Sequence, residues 1–156
     1  ELCLNECIVD DNTALGELTK LENLKLDGYS IDSLDRLKNL TALKSLIIQG
    51  AEFEDLQALK ELTNMEELRL PNNNIKNIDA LEKMTNLEEL ILYGNQIKNI
   101  SALRKLCKLR VLKLEGNLIE DVEPLMNLKN LVMVFYYNLL IIFPIHNKFH
   151  YHIYVQ

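Results

Sequence analysis

A chain of 156 residues, 48% hydrophobic and 26% charged, has the make-up of one soluble globular domain with a sizeable core. Its net charge of −6 repels phosphates on average, which argues against nucleic acid or an anionic membrane as the main partner and favours a basic or neutral protein. Cys3, Cys7 and Cys107 are odd in number and lack metal-ligand spacing, which points to a reducing compartment.

Taken from the N-terminus, the chain repeats itself. Leu21, Leu43, Met65, Leu87, Leu109 and Leu131 recur every 22 residues. With each of these as offset zero, offset 3 holds Leu24, Leu46, Leu68, Leu90, Leu112 and Val134, and offset 5 holds Leu26, Ile48, Leu70, Leu92 and Leu114. Offsets 10 and 13 are Ile or a relative, among them Ile31, Phe53, Ile75, Ile78, Ile100 and Val122; offsets 16 and 19 are Leu or Met from Leu15 and Leu18 to Leu125 and Leu128. The same frame places Leu2 and Leu4 at offsets 3 and 5, so the sequence opens inside a repeat.

Each unit predicts one strand followed by a turn. Offsets 3, 4 and 5 alternate core, solvent, core, the period of a strand with one buried face. Offset 8 carries Asn73, Asn95 and Asn117, buried amides that need backbone partners in the turn. Cys7 is a small substitute at that offset, whereas Tyr29 and Ala51 break the row and predict an interrupted ladder in the second and third coils. Thr41, Thr63 and Thr85 at offset 20 are expected to cap and turn the opposite side of the coil. One unit cannot bury its own apolar face, so the repeats must stack.

Near residue 131 the character changes. Seven aromatic residues (Phe135, Tyr136, Tyr137, Phe143, Phe149, Tyr151 and Tyr154) and all three histidines fall in the final 26 residues, with Lys148 the one formal charge. The expected organisation is therefore a solenoid of about six repeats over residues 1–130 and an atypical aromatic segment over 131–156. That segment is read as an end cap, with a self-associating surface or an atypical tail as alternatives.

Catalytic chemistry has little to stand on. There is no Gly-rich phosphate loop, nucleophile elbow or metal quartet. His146, His150 and His152 are read as incidental rather than as a metal site, and the acidic pairs Glu66–Glu67, Glu88–Glu89 and Glu120–Asp121 as solvated faces. The expectation is a protein that is not an enzyme and uses neither cofactor nor metal.

The stretch LEELILYGNQIKNISAL, with Leu87, Leu90, Leu92, Asn95, Ile97 and Ile100, resembles the leucine-rich-repeat consensus in its 22-residue form. The resemblance covers residues 1 to about 130 and implies an α/β solenoid: a right-handed coil with a concave parallel sheet and short helices or turns on the convex side. In such a coil, the residues at offsets 2, 4 and 6 form adjacent columns on the concave face. The expected partner-binding set is Lys25, Asp27, Ile47, Gln49, Glu67, Arg69, Glu89, Ile91, Tyr93, Lys113 and Glu115. Ile47, Ile91 and Tyr93 put apolar area where the core does not require it, beside the cations Arg69 and Lys113, as binding hot spots do.

The regular period, the Thr at offset 20 and the Ile at offsets 10 and 13 are similar to the intracellular class that includes the leucine-rich-repeat regulatory subunit of protein phosphatase 1. That likeness implies a subunit holding a phosphatase catalytic subunit, with Glu67, Glu89, Tyr93 and Glu115 at comparable offsets; Lys25, Arg69 and Lys113 depart from its pattern. The opening residues 1–7, with Leu15 to Thr19 and Glu123-Pro124-Leu125, are similar to the acidic leucine-rich nuclear phosphoproteins, which implies histone or phosphatase binding. The wording N-Q-I-x-x-I from Asn95 to Ile100 is shared with internalin-type bacterial adhesins. With no apolar run and cleavage site at the start, the expected location is nuclear or cytoplasmic.

Overall fold

The computed structural model describes residues 1–3, 13–26, 31, 33–136, 139–142 and 152–155. Among these residues, nine strands lie in one sheet in chain order: β1 Leu2–Cys3, β2 Asn23–Lys25, β3 Ser45–Ile47, β4 Glu67–Arg69, β5 Glu89–Ile91, β6 Val111–Lys113, β7 Met133–Tyr136, β8 Leu139–Ile142 and β9 His152–Val155. Strands β1 to β7 are parallel, and Leu24, Leu46, Leu68, Leu90 and Leu112 are successive register partners. The 22-residue period is thus the translation that carries one strand onto the next. The parallel ladder runs one strand beyond residue 131; β8 and β9 then pair antiparallel.

Between strands the chain returns through short 3-10 turns at Thr13–Glu17, Leu34–Leu37, Gln57–Leu59, Asp79–Lys83, Ser101–Lys105 and Glu123–Leu125. The sheet and these turns enclose one core, which is the stack of repeat leucines and isoleucines. Two positions expected inside are open: Leu18 at 42% and Val122 at 36% exposure. Both sit in end coils, which have a neighbouring coil on only one side among the described side chains.

Three columns of equivalent positions recur along the coils, and one of them joins coil to coil. The deepest is the one expected at offset 8. Asn95 Nδ2 donates to Leu70 O (3.0 Å) and Leu92 O (2.9 Å), and its Oδ1 accepts from Ile75 N (3.0 Å). Asn117 repeats this pattern on Leu92 O, Leu114 O and Ile97 N. Asn73 reaches back toward Ile48 O only at 3.5 Å, and its Oδ1 accepts from Ala51 N rather than from the residue two further on. The break expected at Ala51 is therefore where the ladder weakens; Cys7 and Tyr29 lie outside the described residues.

The other two columns were not anticipated from the sequence. At offset 12, a short polar side chain accepts from the backbone N–H two residues on and starts the last five of these 3-10 turns: Ser33 (3.1 Å), Asp55 (2.9 Å), Asn77 (2.7 Å), Asn99 (2.8 Å) and Asp121 (2.8 Å). The capping assigned to the threonines at offset 20 falls here instead. Thr41 and Thr63 contribute their carbonyls, which accept from Asn64 (2.9 Å) and Asn86 (3.2 Å) of the next coil. A left-handed residue ends each strand turn at offset 7: Gly50, Asn72, Gly94 and Gly116, with φ of 68, 54, 70 and 65°. Gly and Asn are the residues that occupy this region at least cost.

Candidate functional site

The strand face gathers the predicted set because parallel pairing puts equal offsets side by side. Lys25, Ile47, Arg69, Ile91 and Lys113 are consecutive register partners and form one row across β2 to β6. Ser45, Glu67, Glu89 and Val111 form the row on one side of it. Gln49, Pro71, Tyr93 and Glu115 lie on the other side, just past the strand ends. Backbone bonds from Gly50 N to Pro71 O, Asn72 N to Tyr93 O and Gly94 N to Glu115 O keep this row aligned. Asp27 lies outside the described residues.

Exposure separates the members. Lys25, Ile47, Glu67, Arg69, Glu89, Tyr93, Lys113 and Glu115 are all partly exposed, and Gln49 is exposed. Ile91 is only 8% exposed, tucked between Arg69 and Lys113 on the flanking strands, and it supports the face more than it offers area to a partner. Pro71 is also buried. The N-terminal part of the face contains a groove of about 310 Å³ lined by Cys3, Lys25, Ser45, Ile47 and Glu67, among others.

At its centre the face is ionic. Arg69 Nε stands 2.5 Å from Glu67 Oε1 and 2.8 Å from Glu89 Oε1, while Ser45 Oγ donates to Glu67 Oε2 at 2.6 Å. The same Nε has no aligned hydrogen-bond acceptor, so the Arg69 contacts are close ion pairs without directed hydrogen bonds. With the arginine side chain 40% exposed and each glutamate 28% exposed, solvent screening keeps the pairs weak; their main effect is to commit Arg69 to two carboxylates of its own chain. Glu115 differs: its Oε2 is buried and has no hydrogen-bond partner.

Charged groups also bridge coils away from this face. Glu22 bonds Lys44 at 2.9 Å and holds its ammonium above the usual lysine range, chiefly through that bond. Lys105 donates to Glu82 at 2.7 Å and holds its carboxyl below the usual range. Neither pair adjoins a candidate reacting group. Among the described residues no group of His, Cys, Asp and Glu is arranged to hold a metal ion, and no helix is long and apolar enough to cross a membrane. His146 and His150 fall outside the described residues.

Comparison with known proteins agrees with this architecture. A family model for leucine-rich repeats in two copies matches residues 63–105 and 85–130. No curated protein sequence matches the chain. Among solved structures, internalin C2 of Listeria monocytogenes is 28% identical with a TM-score of 0.69, over 85% of this chain and 69% of that one. A second internalin of that organism, inlF, is 32% identical with a TM-score of 0.74, over 80% of this chain; this chain spans only 37% of it. The ectodomain of the plant membrane receptor kinase GASSHO1/SCHENGEN3 from Arabidopsis thaliana, solved in complex with CASPARIAN STRIP INTEGRITY FACTOR 2, is 25% identical with a TM-score of 0.69, over 79% of this chain and 16% of that one.

Proposed function

We propose that this leucine-rich-repeat solenoid is a non-catalytic protein-binding module whose strand face is the docking surface. The observation that carries the reading is the row Lys25–Ile47–Arg69–Ile91–Lys113 with Tyr93 and Glu115 beside it. These residues come from five coils, none serves the core except Ile91, and parallel register brings them onto one surface. Ile47 and Tyr93 supply apolar and aromatic area among charges, the composition of interface anchors. The plant receptor ectodomain, solved with its bound factor, lends support by likeness of fold.

The net charge of −6 favours a partner with a basic segment. A phosphatase catalytic subunit or a histone-like protein in the nucleus or cytoplasm is the partner class that the sequence resemblances suggest. Affinity capture from nuclear and cytoplasmic extract tests this, with the intact chain beside an Ile47→Asp, Tyr93→Ala variant. Retention of a specific protein by the intact chain and at least tenfold less by the variant is the expected result; equal capture would remove the site from the strand face. A second reading is a surface adhesin, at which the likeness to the two internalin structures hints without favouring it. It predicts binding to intact host cells in place of capture from extract.

A further inference from the structure

We infer that Tyr93 and Glu115 form a seat for an arginine side chain of the partner protein. The inference rests on the strand-face reading and refines it. Tyr93 and Glu115 occupy the same offset on adjacent coils, held side by side by the Gly94 N to Glu115 O bond of 2.7 Å. Both are partly exposed, so a ligand on the strand face reaches them. Glu115 nonetheless keeps Oε2 buried with no donor. A buried carboxylate oxygen without a donor is costly, and the cost has already been met in the free protein. A cation that pairs with this carboxylate from the open side offsets its poorly solvated charge, with little further desolvation of the glutamate.

Charge complementarity selects the occupant. Of the three face carboxylates on β4 to β6 and their extensions, Glu67 and Glu89 share the single guanidinium of Arg69. Glu115 takes part in no ion pair among the described residues, which leaves the Tyr93 end of the face the place for an incoming positive charge. A tyrosine ring beside a carboxylate suits a planar guanidinium, which stacks on the ring while its N–H groups point at the oxygens. The partner is therefore a protein segment presenting arginine, consistent with a basic partner.

The test titrates the isotopically labelled full chain with N-acetyl-arginine amide and follows backbone amide shifts by NMR. Saturating shifts at Tyr93, Gly94, Glu115 and Gly116 are expected, with N-acetyl-citrulline amide, a neutral isostere, binding at least about tenfold more weakly. Glu115→Gln is expected to lose about tenfold in arginine affinity while its thermal midpoint stays equal or rises, since a buried unpaired charge is removed. Glu67→Gln, on the same face, is expected to bind within about twofold of the parent. Equal response to citrulline, or equal losses in the two glutamine variants, would overturn the seat. Ile47→Asp, which leaves the seat intact, separates the two readings: if it abolishes capture while arginine shows no localised binding, only the seat falls.

Discussion

Residues 65–130 and residues 21–64 share one sequence period, yet the two stretches are fastened differently. In the later stretch Asn95 and Asn117 each join three backbone groups of their own and the preceding coil through a buried side-chain amide. In the earlier stretch Ala51 has no amide to offer and Glu52 adopts a second left-handed conformation (φ 61°), and Asn73 of the later stretch reaches back to Ile48 O only at 3.5 Å. The leucines are equally buried in both: Leu46 and Leu90 are each at 0% exposure. Apolar burial, then, stacks the coils, while directed hydrogen bonds decide how firmly each joint is held. The family model matches from residue 63 onward, within the amide-joined stretch and its threshold.

The comparison breaks most severely at its own ladder. Asn95→Ala leaves Leu70 O, Leu92 O and Ile75 N without their side-chain partner inside the core, and the expected cost is about 3 kcal/mol or more, read from urea unfolding. Next come the left-handed glycines. Gly94→Ala must strain a φ of 70° and push aside the Asn72 side chain, whereas Gly50→Ala at φ 68° meets open space. The open site should lose about 1–2 kcal/mol and the crowded one more. Asn99→Ala removes one turn cap and should cost about 1 kcal/mol by the same measurement.

The smallest expected effect lies on the coil edge. Lys105 lowers the Glu82 carboxyl below its ordinary 4.5, so the pair stabilises the fold above the unfolded-state value and the contribution fades as pH falls through the folded one. Glu82→Gln should differ slightly from the parent at neutral pH and not at all in acid, and salt should erase the difference because the pair is exposed.

The sequence made the fold legible because a leucine buried every 22 residues has one economical arrangement, and the amide row at Asn73, Asn95 and Asn117 shows itself by being polar in an apolar register. The rows of the strand face followed from the same arithmetic. Two columns escaped notice because their residue types vary. Ser33, Asp55, Asn77, Asn99 and Asp121 share an acceptor at one position, not an identity, and the left-handed column mixes Gly50 with Asn72. Relations between side chains were not legible at all. That Arg69 is already committed to Glu67 and Glu89, that Ile91 is covered, and that Glu115 lacks a donor depend on rotamers, which a one-dimensional pattern does not carry.

The amide-joined stretch also carries Arg69, Tyr93 and Glu115, so the ladder is expected to make residues 65–130 a rigid platform for the strand face. Residue-resolved hydrogen exchange of the intact chain tests it most directly. Amides of Leu68, Leu90 and Leu112 should exchange at least about tenfold more slowly than those of Leu24 and Leu46, since a joint weaker by one buried hydrogen bond opens that much more often. Uniform protection across all five strands would show that leucine burial alone sets local stability, and the ladder would lose the role given to it here.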